Sequence, residues 1–238
     1  MTSDSDERPQ PDESGVRTPR RTRVILVRHG EVEDAWRGRL YGCHDVGLSP
    51  NGEREARTAA ERVRRTELAR VVSSGLRRTR FGAERIAEGR AVEALEDPEP
   101  REIDRGVWVG LRPHETEGGW TRWHAAPDRE RAPRGESLTD LAARVLPRIA
   151  HHAAAAAGDT IAVVAHSWVV RVTACHALGL PLSRAARLTV PTGSLAVVDW
   201  PFEGDPGHPT LAALGADRLP PDGRGWYRGP RRSAGDAG

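Results

Sequence analysis

Apolar and polar positions along this chain switch between two periods, and the switches mark out strands alternating with helices. Val24, Ile25, Leu26 and Val27 form a continuous apolar run of the kind buried on both faces of a parallel sheet, and it stops abruptly at Arg28, His29 and Gly30. Residues 32–47 follow no period and are read as a loop. Ser49 and Pro50 then supply an N-cap with proline at N1, which predicts a helix running to about residue 68. Val71 and Val72 make a second strand ending at Ser73 and Ser74, and a helix over 76–88 is stopped by Gly89. Residues 91–135 are rich in Pro, Gly, Glu and Trp and are expected to be mostly loop with short helical pieces. Ser137 and Asp140 are spaced as a capping box for a helix over 137–157, which Pro147 should kink. The most apolar strand, 160–165, ends at His166, and a helix over 168–178 closes at Gly179. A further strand is expected over 194–200 and an edge strand over 211–214.

This alternation predicts an α/β protein, a three-layer α/β/α sandwich with a mostly parallel central sheet. Ligands in such sheets bind where parallel strands stop, so Arg28, His29 and His166 are expected to share one edge. The 238 residues suit one domain over 23–215. Residues 1–22 carry too little apolar surface to offset the entropy of ordering them, and are read as a disordered N-terminal tail. A Pro-, Gly- and Arg-rich C-terminal tail is assigned to 216–238.

Composition narrows the function classes. No apolar run approaches membrane-spanning length and no signal-peptide core is present, so a cytoplasmic protein with no membrane partner is expected. All 36 positive residues are arginine, yet they are spread among 34 acids for a net charge of +2, which argues against a nucleic-acid partner. The bias of Arg over Lys, with abundant Ala, fits a GC-rich bacterial genome. Cys43 and Cys175 allow neither a disulfide framework nor a cysteine-based zinc site. His114, His124, His151, His152 and His176 show no ligand spacing, so no metal site and no cofactor are expected.

Chemistry concentrates in a series of short motifs. Arg28-His29-Gly30-Glu31 is followed by Gly42-Cys43-His44-Asp45, with Leu48-Ser49 and Gly52 after it. Then come Ser73-Ser74-Gly75-Leu76-Arg77-Arg78, the run from Arg101 through Glu102 and Arg105 to Trp108, Gly135-Glu136-Ser137, and Val164-Ala165-His166-Ser167. In this order, over roughly 23–200, the series resembles the histidine phosphatase superfamily, also called phosphoglycerate mutase-like. The resemblance implies a metal-independent phosphomonoesterase acting on a small phosphorylated metabolite, with a homodimer allowed. It also implies that His29 attacks phosphorus to give a phosphohistidine and that Glu102 serves as general acid and then base. Arg28, Arg78 and His166 would supply the positive field, and Gly30, Ser167 and Tyr41 would complete the substrate-binding set.

Each role has a physical requirement. A phosphomonoester near neutral pH carries close to two negative charges, which a planar guanidinium fork holds well. His29 needs a neutral nitrogen with a free lone pair, and a hydrogen bond from its other nitrogen to a backbone carbonyl would fix that tautomer. His166 lies between a strand and a helix, beside N–H groups that favour an anion. Gly30, lacking Cβ, should let a ligand come close. Beside a doubly charged phosphate the ionised form of Glu102 is disfavoured, which suits an acid. Arg77 competes with Arg78, and Glu31 and Glu136 compete with Glu102. The chain departs from the family pattern at Ala35, Tyr41, Val109 and Phe81-Gly82, where Asn, Gln, Glu and Gln-Thr are common. Trp36, Trp108, Trp120 and Trp123 add aromatic weight that could stack on a substrate or pack the loops on the sheet. Mutase-type transfer and a catalytically silent phosphate-binding module are the competing readings.

Overall fold

The first apolar run sets the layering. In β1 (Thr22–Arg28) the side chains of Val24 and Leu26 enter one buried cluster while those of Ile25 and Val27 enter another, as alternation along a strand requires. Two helices, α1 (Pro50–Arg62) and α2 (Arg77–Ala87), cover the Ile25/Val27 face through Ala59, Ala83 and Ile86. On the Val24/Leu26 face lie α4 (Leu138–Ala155) and α5 (Ser167–Ala177), through Leu141, Val145, Ile149 and Val169. Each of the Leu, Ile and Val side chains among these stabilises the fold by about 1.5–3 kcal/mol when fully buried.

The computed structural model describes residues 21–201 and 207–219; the parts of the two assigned tails at 1–20 and 220–238 lie outside them. Between the helix layers runs one sheet of six strands in the order β3-β2-β4-β1-β5-β6. The other strands are β2 (Arg70–Ser73), β3 (Ala94–Glu96), β4 (Thr160–Ala165), β5 (Leu195–Trp200) and β6 (Thr210–Ala216). Pairs β1–β4, β2–β4 and β2–β3 are parallel, whereas β5 runs antiparallel to both β1 and β6. The architecture is therefore the expected α/β/α sandwich with a mostly parallel sheet. The Ser49 cap, with its hydroxyl accepting from Gly52 N–H at 3.0 Å, and the reciprocal Ser137/Asp140 box are both in place.

Three local expectations need correction. α1 ends at Arg62 and not near 68, because the Arg90 guanidinium donates to the Val63 and Thr66 carbonyls at 2.7 and 2.6 Å and closes the chain into a turn there. β3 lies within the stretch expected to be loop; it is a three-residue edge strand whose side chains are largely exposed, so no apolar period announces it. The same stretch also contains the short helix α3 (Gly119–Ala125). Thr22, assigned to the tail, is the first residue of β1: it is fully buried, and its hydroxyl donates to the Ala153 carbonyl at 2.8 Å. Pro147 lies inside α4, and both it and Ala143, whose carbonyl it leaves without its helical partner, are exposed.

Candidate active site

Strand register brings the two histidines together. Arg28 in β1 pairs with Ala165 in β4, so His29 and His166, one residue further along each strand, emerge side by side at the carboxyl edge. Their ring centroids are 5.2 Å apart. β2 stops on the other side of β4, and the turn after it delivers Ser74 and then Arg78 in the first turn of α2. His29, Arg78, Glu102 and His166 are all buried.

His29 Nδ1 lies 2.7 Å from the Gly30 carbonyl, which can only accept, so Nδ1 carries the proton and Nε2 keeps its lone pair. Burial, followed by the charges of Arg78 and Arg28, holds this imidazole well below its usual pKa, against the opposing pull of the Gly30 carbonyl. His166 caps α5 and contacts Ser74 Oγ through Nε2 at 2.8 Å. The chain of hydroxyls fixes the direction of that bond. Thr79 donates its one hydroxyl proton to the Leu76 carbonyl, so it accepts from Ser74, and Ser74 accepts from His166 Nε2–H. Nδ1 of neutral His166 is then an unpartnered buried acceptor. Burial first, then Arg78 and His29, also keeps this group well below its usual pKa.

Arg78 is anchored by two arms. Nη1 donates to the His44 carbonyl at 2.8 Å and Nη2 to the Gly42 carbonyl at 2.7 Å, while Nε is buried without an acceptor. Arg28 donates through Nη1 to the Val190 carbonyl and likewise has an orphaned Nε. Orphaned buried donors of this kind call for a partner, which a water, an ion or a ligand oxygen can supply. Its competitor Arg77 is 54% exposed at the side chain and pairs with Asp45 at 3.5 Å and Glu33 at 3.7 Å, so the buried cation is Arg78. Tyr41 sits beside this pair, its ring 5.2 Å from the Arg78 guanidinium, and burial raises its hydroxyl pKa. Ser167 opens α5 and is half-buried.

Glu102 accepts from the Ile103 N–H at 3.0 Å and from the Trp168 N–H of α5 at 3.3 Å to each carboxylate oxygen. The competing carboxylates are committed elsewhere. Glu31 accepts from the Ser49 hydroxyl and Arg37, both at 2.8 Å, and the Ser49 bond holds it below the usual carboxylate range. Glu136 takes a two-pronged bond from Arg144 at 2.8 and 2.9 Å and the Asp104 N–H at 3.0 Å. Gly30 has a packing role: a Cβ there would lie 2.1 Å from the Gly52 carbonyl oxygen, so α1 makes a close approach to it. Ala35 is exposed, and Trp108 and Trp123 are buried core residues, which settles those two aromatics as packing. Ser74 and Arg105 stand in the quoted motifs without an assigned role; both prove to be buried beside the site, and no local pattern in the sequence marks them. Among the described residues no group of three or more His, Cys, Asp or Glu could hold a metal ion, and no helix is long and apolar enough to cross a membrane.

Buried neutral imidazoles make the fold sensitive to acid. His29 and His166 resist protons that the unfolded chain accepts, so their contribution to stability is fully present above about pH 6.5 and declines as pH falls below that value. Urea unfolding midpoints should be lower at pH 5 than at pH 7.5, and His29→Ala should narrow the gap; an unchanged gap would contradict this origin.

Residues 24–214 match the model of the histidine phosphatase superfamily, branch 1. A protein of Klebsiella pneumoniae called "Probable phosphoglycerate mutase GpmB" is 34% identical over 182 residues, covering 74% of this chain and 84% of that protein. Phosphoserine phosphatase 1 of Hydrogenobacter thermophilus is 32% identical over 166 residues, covering 68% and 79%. Among solved structures, Bacillus stearothermophilus YhfR superposes with a TM-score of 0.74 at 25% identity, covering 82% of this chain and 96% of that one. A mycobacterial glucosyl-3-phosphoglycerate phosphatase gives 0.69 at 26% identity, covering 82% and 98%. With two strand-end histidines and buried arginines in this geometry, the chain belongs to the histidine phosphatase superfamily, branch 1.

Proposed function

We propose that the protein is a metal-independent phosphomonoesterase that hydrolyses a small phosphorylated metabolite through a phosphohistidine on His29. The observation that carries this reading is the bare Nε2 of His29, fixed by the Gly30 carbonyl, in the field of Arg28 and Arg78, whose Nε–H groups have no protein acceptor. In the first step Nε2 attacks phosphorus, the P–O bond to the leaving alcohol breaks, and Glu102 gives its proton to that oxygen. Arg28 and Arg78 hold the phosphoryl oxygens through their free Nε–H groups, where they meet the charge that spreads in the transition state. His166 takes a proton from solvent on Nδ1 as the dianion enters and hydrogen-bonds a phosphoryl oxygen with it, returning it to solvent when phosphate leaves. In the second step water attacks the phosphohistidine, Glu102 accepts its proton, and inorganic phosphate leaves with His29 restored.

Names of the relatives support phosphatase chemistry, and one of them favours mutase-type transfer as the second reading. The two differ in product. Phosphatase action releases one inorganic phosphate per ester consumed, whereas a mutase returns the phosphoryl group to the substrate. The unpaired state of Cys43 and Cys175 fits a reducing cytoplasm, where we place the enzyme. The test is turnover of a panel of phosphomonoesters followed by phosphate release, with and without chelator. Phosphate release unchanged by chelator is the expected result. Loss on chelation with recovery on adding a divalent ion would overturn the metal-independent mechanism, and isomerised ester without free phosphate would favour the mutase.

A further inference from the structure

Glu102 lies on a stretch, residues 97–105, that belongs to no helix or strand. Backbone of that kind has no ladder or helical turn to fix it, so the aim of the acid depends on which side chains hold its main chain. One guanidinium does most of this. Arg144 in α4 donates through Nη1 to the carbonyl of Arg101 at 2.9 Å and to that of Glu99, and through Nη2 to the carbonyl of Glu102 itself at 3.0 Å. Its Nε and Nη2 also donate to the two oxygens of Glu136, at 2.8 and 2.9 Å. A guanidinium has five N–H donors, and these bonds use all of them. None is left over for a phosphoryl oxygen, so any part that Arg144 plays in the reaction runs through the segment it holds.

Glu136 completes the clamp. Its Oε2 accepts from the Asp104 N–H at 3.0 Å, and its own N–H donates to the Asp104 carbonyl at 3.0 Å, so the main chain is fixed on both sides of Glu102. Burial opposes the charge on Arg144, but the bonds and charge of Glu136, with the charge of Glu102 behind them, outweigh it and raise the Arg144 pKa. At the head of the same stretch Asp97 takes bonds from two more residues of α4, Arg148 and His152, the latter at 2.7 Å. The carboxylate is held from the opposite side, by the Trp168 N–H of α5, two residues after His166. Glu102 is thus strung between two helices, its main chain on α4 and its carboxylate on α5. We propose that Arg144, locked by Glu136, is the positioning residue of the general acid, aiming the Glu102 carboxyl at the oxygen of the leaving alcohol. This assignment rests on the phosphatase reading above.

The experiment measures single-turnover phosphorylation rates for nitrophenyl phosphate, whose leaving group needs no proton, and for the alkyl ester of the panel that wild type consumes fastest. The ratio of the alkyl rate to the nitrophenyl rate reads the acid, whereas a general loss of structure slows both esters alike and leaves the ratio in place. Arg144→Lys keeps the charge but replaces the planar five-donor fork with three donors from one point. It should lower the ratio by about 10- to 100-fold, the scale of a misaimed catalytic group, with the nitrophenyl rate within about threefold of wild type. Because the effect passes through Glu102, Arg144→Lys added to Glu102→Gln should lower the ratio no further than Glu102→Gln alone. An unchanged ratio in Arg144→Lys, or a further fall in the double variant, would overturn the proposal and leave Arg144 a purely structural residue. Should Arg144→Lys not fold, Glu136→Gln removes one acceptor oxygen of the clamp and must lower the ratio by about threefold or more; an unchanged ratio overturns the proposal. Nitrophenyl phosphate also separates the two levels. Its turnover with an unmoved ratio sinks only the positioning role, while its resistance to wild type sinks the phosphatase reading itself.

Discussion

Alanine in place of His29 is expected to lower kcat by a factor on the order of 10⁴–10⁶, the scale of losing a covalent nucleophile. The fold should survive. The His29 side chain makes one hydrogen bond, to the carbonyl of the next residue, while the backbone N–H that extends the β1–β4 ladder to Ala165 at 3.0 Å is untouched. His166 is 5.2 Å away and does not substitute, because its Nε2 is spent on Ser74 and its Nδ1 is assigned to a phosphoryl oxygen. Steady-state turnover of an aryl phosphate, read beside circular dichroism of the same sample, checks this. Near wild-type rates in a folded variant would remove His29 from the mechanism.

Glu102→Gln should have a large effect whose size depends on the substrate. An alkyl phosphate expels a poor leaving group that needs a proton, so phosphorylation should slow by about 10²–10⁴. Nitrophenyl phosphate expels a stable anion and should keep much more of its phosphorylation rate. Glutamine can retain the bonds from the Ile103 and Trp168 N–H groups through its carbonyl oxygen, so the loss reports on proton transfer and not on a displaced α5. Single-turnover rates with both esters make the comparison. Equal slowing of both would point to another carboxylate, although Glu31 and Glu136 are each held by arginine.

Much of this site was legible because its parts sit at chain positions with strong local signals. The run from Val24 to Val27 is apolar on both faces, and its abrupt end at Arg28 and His29 is a strand end in any parallel sheet; the same holds for Ala165 and His166. Ser49 with Pro50 and Ser137 with Asp140 carry their caps in a few residues. What stayed hidden depends on side chains arriving from far along the chain. The end of α1 is set by Arg90, and the direction of the His166 bond by a hydroxyl relay from Ser74 through Thr79. Arg105 is ringed by Trp120 and Trp123 of α3 and Trp168 of α5, and nothing in the spacing of those segments says that they meet. The packing role of Gly30 was hidden for the same reason, since the backbone that needs its missing Cβ belongs to Gly52.

The phosphohistidine itself is the claim on which the rest depends, and Glu102→Gln supplies the means to see it. With nitrophenyl phosphate the variant still phosphorylates, but water attacks without its base, so the second step becomes slow and the intermediate accumulates. Rapid quench at high pH followed by mass analysis of the peptide containing His29 is the measurement. The account predicts one acid-labile phosphoryl group on His29, formed in a burst matched by released nitrophenol. Nitrophenol released at a steady rate with no phosphoryl group on His29 at any time would contradict it and establish direct hydrolysis by water.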